Sequence, residues 1–269
     1  MKPRELLHLL GLRPGPRIYP YQVVNFELPQ DGLVQYAQWL HPSETKKVIV
    51  QEAVAALRKF LKPGDVAIDI GAHTGDSTLP LALAVGRQGC VLALEPNPYV
   101  FTVLQKNSEL NRDKTNIIPL MLAATPVSGE FFFEYSDPGF CNGGLHQGIS
   151  KWRHGHGFKL KVRGENLQSY IEENFSELAR RIRFLKVDVE GFDYQVLASL
   201  ENLISIRKPF IKAEVFKLLN LSQRERLYDF LVDLGYEVFR VESELNYLGP
   251  KLARQDLMNW RHYDLFCVP

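Results

Sequence analysis

Short apolar runs that alternate with amphipathic segments limit this chain more than any other feature of its sequence. Val66–Ile70, Val91–Leu94, Ile117–Leu122, Arg183–Val187 and Phe210–Val215 read as strands, and residues 76–86, 98–110, 192–204 and 222–234 read as helices. Strands and helices in turn predict a mostly parallel sheet with helices on both faces, because each parallel crossover needs a covering segment. Glu237–Val241 and Tyr263–Val268 read as late strands that can pair antiparallel at the sheet edge. Before the first strand, Val50, Val54, Leu57 and Leu61 recur at helical spacing until Lys62-Pro63-Gly64-Asp65 ends the run.

Two stretches lack such a period. Residues 11–45 are rich in proline and aromatics (Pro14, Pro16, Tyr19, Pro20, Tyr21, Pro29, Tyr36, Trp39, Pro42), so residues 1–47 are expected to form an irregular arm. Such an arm wraps the core, covers a pocket or meets a second subunit. The domain proper is then 48–269. Within it, residues 136–157 hold Pro138, five glycines between 139 and 155, and His146, His154 and His156. A structureless loop of that length is usually a lid or binding loop, and it is assigned to the substrate. His154-Gly155-His156 has a metal-like spacing but no cysteine or acid nearby, so it reads as exposed loop.

Composition narrows the partners. Thirty-two Lys and Arg against 31 Asp and Glu leave a formal net charge of +1, which provides no global field toward nucleic acid or an anionic membrane. Cys90, Cys141 and Cys267 are odd in number and show no Cys-x-x-Cys spacing, which favours a reducing compartment; Cys90 and Cys267 lie in apolar runs and read as core. The patch Leu6-Leu7-His8-Leu9-Leu10 is too short for a signal sequence or a membrane span, so a cytoplasmic location is expected.

Three strand ends carry the chemistry. Asp69-Ile70-Gly71-Ala72-His73-Thr74-Gly75-Asp76-Ser77 follows an apolar strand and precedes a helix, so Gly71 and Gly75 allow a sharp turn and the helix start points N–H groups at a ligand. A dinucleotide loop would show G-x-G-x-x-G, but its second glycine is His73 here, which favours a nucleoside with a small carboxylate over a diphosphate. Asp69 is the candidate partner for an ammonium group on that ligand. Twenty-six residues on, Cys90-Val91-Leu92-Ala93-Leu94 ends in Glu95, followed by Pro96-Asn97-Pro98, where Asn97 can cap a helix. Glu95 is placed to accept both hydroxyls of a ribose, in NAD or in adenosylmethionine alike.

The third strand, Arg183-Phe184-Leu185-Lys186-Val187, ends in Asp188 and Glu190 before Gly191 turns the chain into a helix, and Glu214 closes the next strand. Carboxylates gathered at one crevice repel unless a proton, a cation or Lys186 offsets them, which implies a task. They can take the proton of an alcohol, or hold Mg²⁺ or Ca²⁺ that acidifies a diol; a salt-bridged strand end is the plain alternative.

At these motifs the chain resembles the FkbM family of methyltransferases. The matching segments are Ile68-Asp69-Ile70-Gly71-Ala72-His73-Thr74-Gly75, then Ala93-Leu94-Glu95-Pro96-Asn97-Pro98 with Leu104, Asn107 and Asn111 behind it, then Leu185-Lys186-Val187-Asp188-Val189-Glu190-Gly191. The resemblance runs from about Asp65 to Val241 and leaves the arm outside. It implies a Rossmann-like class I methyltransferase fold, an α/β architecture with a seven-stranded sheet and one antiparallel strand. It also implies S-adenosylmethionine-dependent methylation of a hydroxyl on a sugar, glycolipid, polyketide or other secondary metabolite. Expected cofactor contacts are Asp69, Gly71, Ala72, His73, Gly75, Ser77, Glu95, Pro96, Asn97 and Ala123, with Asn142 from the long loop. Asp188, Glu190, Glu214, Lys186 and His146 are the expected catalytic set, and Asp188, Glu190 and Glu214 the expected metal ligands if Mg²⁺ or another divalent cation takes part. A nicotinamide-dependent oxidoreductase would share the turn and Glu95, and a non-catalytic adenosylmethionine-binding module would share the whole fold.

Overall fold

The computed structural model describes residues 17–135, 143–144 and 158–269. Its first elements are strands β1 (Tyr21–Leu28) and β2 (Gly32–Trp39), paired antiparallel from Tyr21 opposite Trp39 to Leu28 opposite Gly32. The described part of the arm is therefore a hairpin, not the irregular segment expected. Its prolines misled: Pro20 and Pro42 flank the strands and Pro29 sits in the turn, where a missing N–H costs no ladder bond. Within the strands Val24, Phe26 and Leu28 alternate with Asn25 and Glu27, a period of two.

The main sheet follows the expected alternation. β3 (Val66–Ile70), β4 (Cys90–Leu94), β5 (Ile117–Leu120), β10 (Ile182–Val187), β11 (Phe210–Val215), β12 (Glu237–Arg240) and β13 (Tyr263–Val268) form seven strands in the order β12-β13-β11-β10-β3-β4-β5. β13 runs antiparallel to both its neighbours, β11 and β12. β3, with parallel partners β4 and β10 on its two sides, stands at the centre of the site.

Period-two alternation divides the core between the two faces. Ile68, Ile70, Leu92, Leu94, Leu185 and Val187 pack with the helices Leu167–Asn174, Asp193–Ser199, Glu201–Arg207 and Leu221–Asp233. Ala67, Val91, Ala93, Phe184 and Phe266 pack on the other face with the helices Gln51–Leu57 and Thr78–Val85 and with Val34 and Tyr36 of the hairpin. Cys90 and Cys267 are buried and free, as expected.

Three further departures have local causes. The helix read over 192–204 is two helices meeting at buried Leu200, whose backbone leaves helical geometry at φ −105° and ψ 10°. β5 stops at Leu120, because the chain then leaves the sheet and Ala123–Ala124 (β6) pairs parallel with Gly164–Glu165. β7 (Gly129–Tyr135) and β9 (Phe158–Glu165) form an antiparallel pair that continues to β6 and to β8 (Gly143–Gly144), a second sheet that the reading of the sequence did not include. Among the described residues no helix is long and apolar enough to cross a membrane.

Candidate active site

Near the ends of β3, β10 and β11, positions on one face of the sheet change from apolar to charged. The parallel register sets Asp69 opposite Lys186 and Lys186 opposite Lys212. Lys186 Nζ lies 3.1 Å from Asp69 Oδ1 and 3.6 Å from Asp188 Oδ2, and it donates to the Gly71 carbonyl at 3.0 Å. Burial opposes the charge of Lys186, but the attraction of Asp69 and Asp188 outweighs it and holds the ammonium above its ordinary range. Asp69 Oδ2 accepts from Ser77 Oγ and Thr78 Oγ1, both at 2.7 Å, and the residue is 0% exposed. Asp69 is thus a strut behind the glycine loop, tying the first helical turn to Lys186. Asp69, expected to meet the ligand's ammonium, is not among the residues lining the cavity at these strand ends, while its Oδ1 accepts no hydrogen bond among the described residues and faces the Lys186 ammonium.

The loop after β3 is held by its neighbours on both sides. Gly71 and Ala72 donate their N–H groups to the Leu94 carbonyl. His73, at φ 48°, donates its backbone N–H to Glu95 Oε2 at 3.0 Å, and Asn97 donates to Glu95 Oε1 at 2.9 Å. Asn97 in turn caps the helix Pro98–Leu110 by accepting from the Tyr99 N–H. Glu95 therefore clamps the turns that follow β3 and β4. Burial pushes its carboxyl above the usual range, with His73 and the two N–H groups partly opposing.

Gly71, His73, Ser77, Glu95, Pro96 and Ala123 line one cavity of about 800 Å³, and Lys186, Asp188, Glu190 and Glu214 line the same cavity. Ala72, Gly75 and Asn97 lie behind its wall, where Ala72 and Asn97 are buried and Gly75, at φ 94°, packs against Leu104. Asn142 and His146 fall outside the described residues, as does Cys141.

The β10 and β11 ends form the acidic half of the cavity. Glu190 adopts φ 55° before Gly191 at φ 97°, a costly backbone for a side-chain-bearing residue and one that often marks function. Burial and the charge of Asp188 raise the Glu190 carboxyl. Glu214 is 7% exposed; burial first, then Asp188, Asp193, Glu190 and Asp264, push its carboxyl up to about 10. Its Oε1 lies 2.7 Å from His262 Nε2. Lys212 offsets part of this charge, at 3.2 Å from Asp264 and 2.5 Å from Glu244. Among the described residues no group of three or more His, Cys, Asp or Glu is arranged to hold a metal ion; Asp188, Glu190 and Glu214 line the same cavity.

Several residues of the cavity were missed by sequence reasoning. The segment Ser43 to Val48 closes one side, with Lys47 bridging Glu44 at 3.2 Å and Asp76 at 3.0 Å. Burial alone would raise Asp76, but Lys47 and His73 hold it below the usual carboxylate range. Glu244, Tyr247, His262 and Asp264 arrive from the last strands and their loops. Asp264 had a signal, since it stands in a late strand read as able to pair antiparallel at the sheet edge; His262 had none. Phe133 and Tyr135 come from β7.

The model of the family described as Methyltransferase FkbM domain matches residues 69–238. No curated protein matches the chain. Among solved structures, methyltransferase FkbM from Methylobacillus flagellatus KT is 15% identical, with 77% of this chain and 44% of that one covered and a TM-score of 0.47. The chain thus spans less than half the length of that protein. Fibrillarin from Aeropyrum pernix, solved with S-adenosyl-L-methionine, is 15% identical over 94% of this chain and 97% of its own, at a TM-score of 0.43. An S-adenosylmethionine-dependent O-methyltransferase from Thermotoga maritima is 16% identical over 93% of this chain and 77% of its own, also at 0.43. The family model runs through all three carboxylate-bearing strand ends and covers well over half of the sequence, so the chain belongs to the FkbM family of S-adenosylmethionine-dependent methyltransferases.

Proposed function

We propose that this chain transfers the methyl group of S-adenosylmethionine to a hydroxyl oxygen of a small molecule such as a sugar, glycolipid, polyketide or other secondary metabolite. The observation that carries the reading is that Glu95 and Asp188, at the ends of the two strands flanking β3, face one cavity. Donor and acceptor therefore meet over the centre of the sheet, where strand ends of this architecture commonly bind ligands.

The residues present suit the donor. The Glu95 carboxylate, fixed by two backbone N–H groups, still offers lone pairs for a ribose diol. At the glycine loop, the backbone near His73 and Ser77 and the charged group of Lys47, Glu44 and Asp76 suit the zwitterionic amino-acid end. The donor supplies a sulfonium-bound methyl group that an oxygen nucleophile can displace. What the chain must add is an acceptor oxygen held in line and relieved of its proton. Asp188 and Glu190 reach the cavity from one strand end and Glu214 from the next, so they can orient a polyol by accepting from its hydroxyls.

Incubation of the protein with methyl-labelled adenosylmethionine and a metabolite extract of the source organism tests the reading. A small molecule that gains the label on an oxygen supports it. Label on protein or nucleic acid alone, or on no molecule, contradicts it.

A further inference from the structure

We propose that His262, oriented by Glu214, is the base that takes the proton from the acceptor hydroxyl. The inference rests on the methyl-transfer reading and moves the proton acceptor from the β10 carboxylates to a residue that no motif marks. His262 stands immediately before β13, and the antiparallel register places Asp264 opposite Glu214, so the chain enters the sheet beside the end of β11. Its ring is about half exposed and lines the cavity, while its Nε2 lies 2.7 Å from Glu214 Oε1.

Glu214 is built to serve a partner of this kind. Its side chain is more than nine-tenths buried, and Oε2 has no hydrogen-bond partner among the described residues. A carboxylate so placed is costly unless a proton or cation stands against it. With Nε2–H donating to Glu214, the lone pair of Nδ1 accepts the proton of the acceptor O–H. As that proton moves, the oxygen bonds to the methyl carbon, the carbon–sulfur bond breaks, and adenosylhomocysteine leaves with the electron pair on sulfur. The imidazolium that results faces the Glu214 carboxylate. This is the arrangement of a base with an orienting acid.

Charged groups surround Glu214 on every side. Asp188 and Glu190 face Glu214 from the β10 end, Asp193 from the next helix and Asp264 from β13, while Lys212 sits two residues earlier on the same strand. Burial first, and then these four acids, hold the Glu214 carboxyl high, so a positive or hydrogen-bonding partner beside it is favoured.

The test uses the full chain, methyl-labelled adenosylmethionine and the metabolite extract. His262→Gln should lower the rate of label transfer about 10²–10³-fold, the range lost with a general base, while its affinity for adenosylmethionine by calorimetry stays within about twofold. A ring ¹⁵N spectrum of the neutral imidazole should show His262 protonated at Nε2, and Glu214→Gln should abolish that tautomer preference. The spectrum needs no donor or acceptor, so it reads the pair independently of turnover. Wild-type rates in His262→Gln, or Nδ1 protonation in the wild type, overturn the assignment. A wild-type protein that transfers no label overturns the methyl-transfer reading and the base assignment with it.

Discussion

Gly71 lies against Asp188 so closely that a Cβ added to it would fall 1.9 Å from the Asp188 carbonyl oxygen. The glycine that opens the turn after β3 is therefore also what lets the acidic loop after β10 come alongside. Its φ of 78° adds a second reason for glycine. The turns after β3 and β10 are registered against each other by backbone contact, with the Asp188 N–H donating to the Ile70 carbonyl at 3.0 Å.

Gly71→Ala follows directly. Left-handed strain and the collision with Asp188 together should cost about 2–4 kcal/mol of folding stability. Denaturant unfolding would show this as a lower midpoint at unchanged slope. A variant as stable as the wild type would mean that the two loops are not in fact locked.

Asn107 holds the arm to the domain. Its side-chain oxygen accepts from the Ala37 N–H at 2.6 Å, and its nitrogen donates to the carbonyls of Ala37 at 3.1 Å and Thr74 at 2.7 Å. Asn107→Ala leaves these buried backbone groups without the amide, which should cost about 2–4 kcal/mol. Hydrogen exchange should show the Ala37 amide losing protection while the amides of β10 keep theirs.

The Asn107 contact also shows how far the sequence could be read. The strands of the main sheet were legible because each side of a buried parallel strand must be apolar, and Ile68, Ile70, Leu92 and Leu94 announce that directly. Glu95 and Asp188 were legible because a carboxylate ending such a strand opens on the crevice. Asn107 and Asn111 were visible as part of a motif, but their purpose was not. Asn111, like Asn107, bonds the hairpin backbone, at both the N–H and the carbonyl of Gln35, across 76 positions of sequence. The ion pair of Asp69 was hidden for a similar reason: only the register with β10 reveals that Lys186 stands opposite it. His262 and Lys47 reach the cavity through chain paths that no local pattern specifies.

Glu214 should make stability depend on pH. Its carboxyl is pushed up to about 10 in the fold, mainly by burial, whereas in the unfolded chain it returns to an ordinary value. Between those two values the folded state binds more protons than the unfolded state, so stability falls as pH rises. Glu214→Gln removes the effect. Its melting temperature should therefore exceed that of the wild type by a margin that widens from pH 6 to pH 9, about 2–4 °C for each kcal/mol in a chain of this size. Parallel melting curves across that range would refute the assignment of the buried charge.

The central claim, that the Gly71 loop and Glu95 receive adenosylmethionine, is tested most directly by titration calorimetry of the protein with S-adenosylmethionine, S-adenosylhomocysteine and NAD. Both methionine derivatives should bind, and Glu95→Ala should weaken each about 10–100-fold through the loss of charge-assisted hydrogen bonds. Binding of NAD with neither methionine derivative would contradict the account.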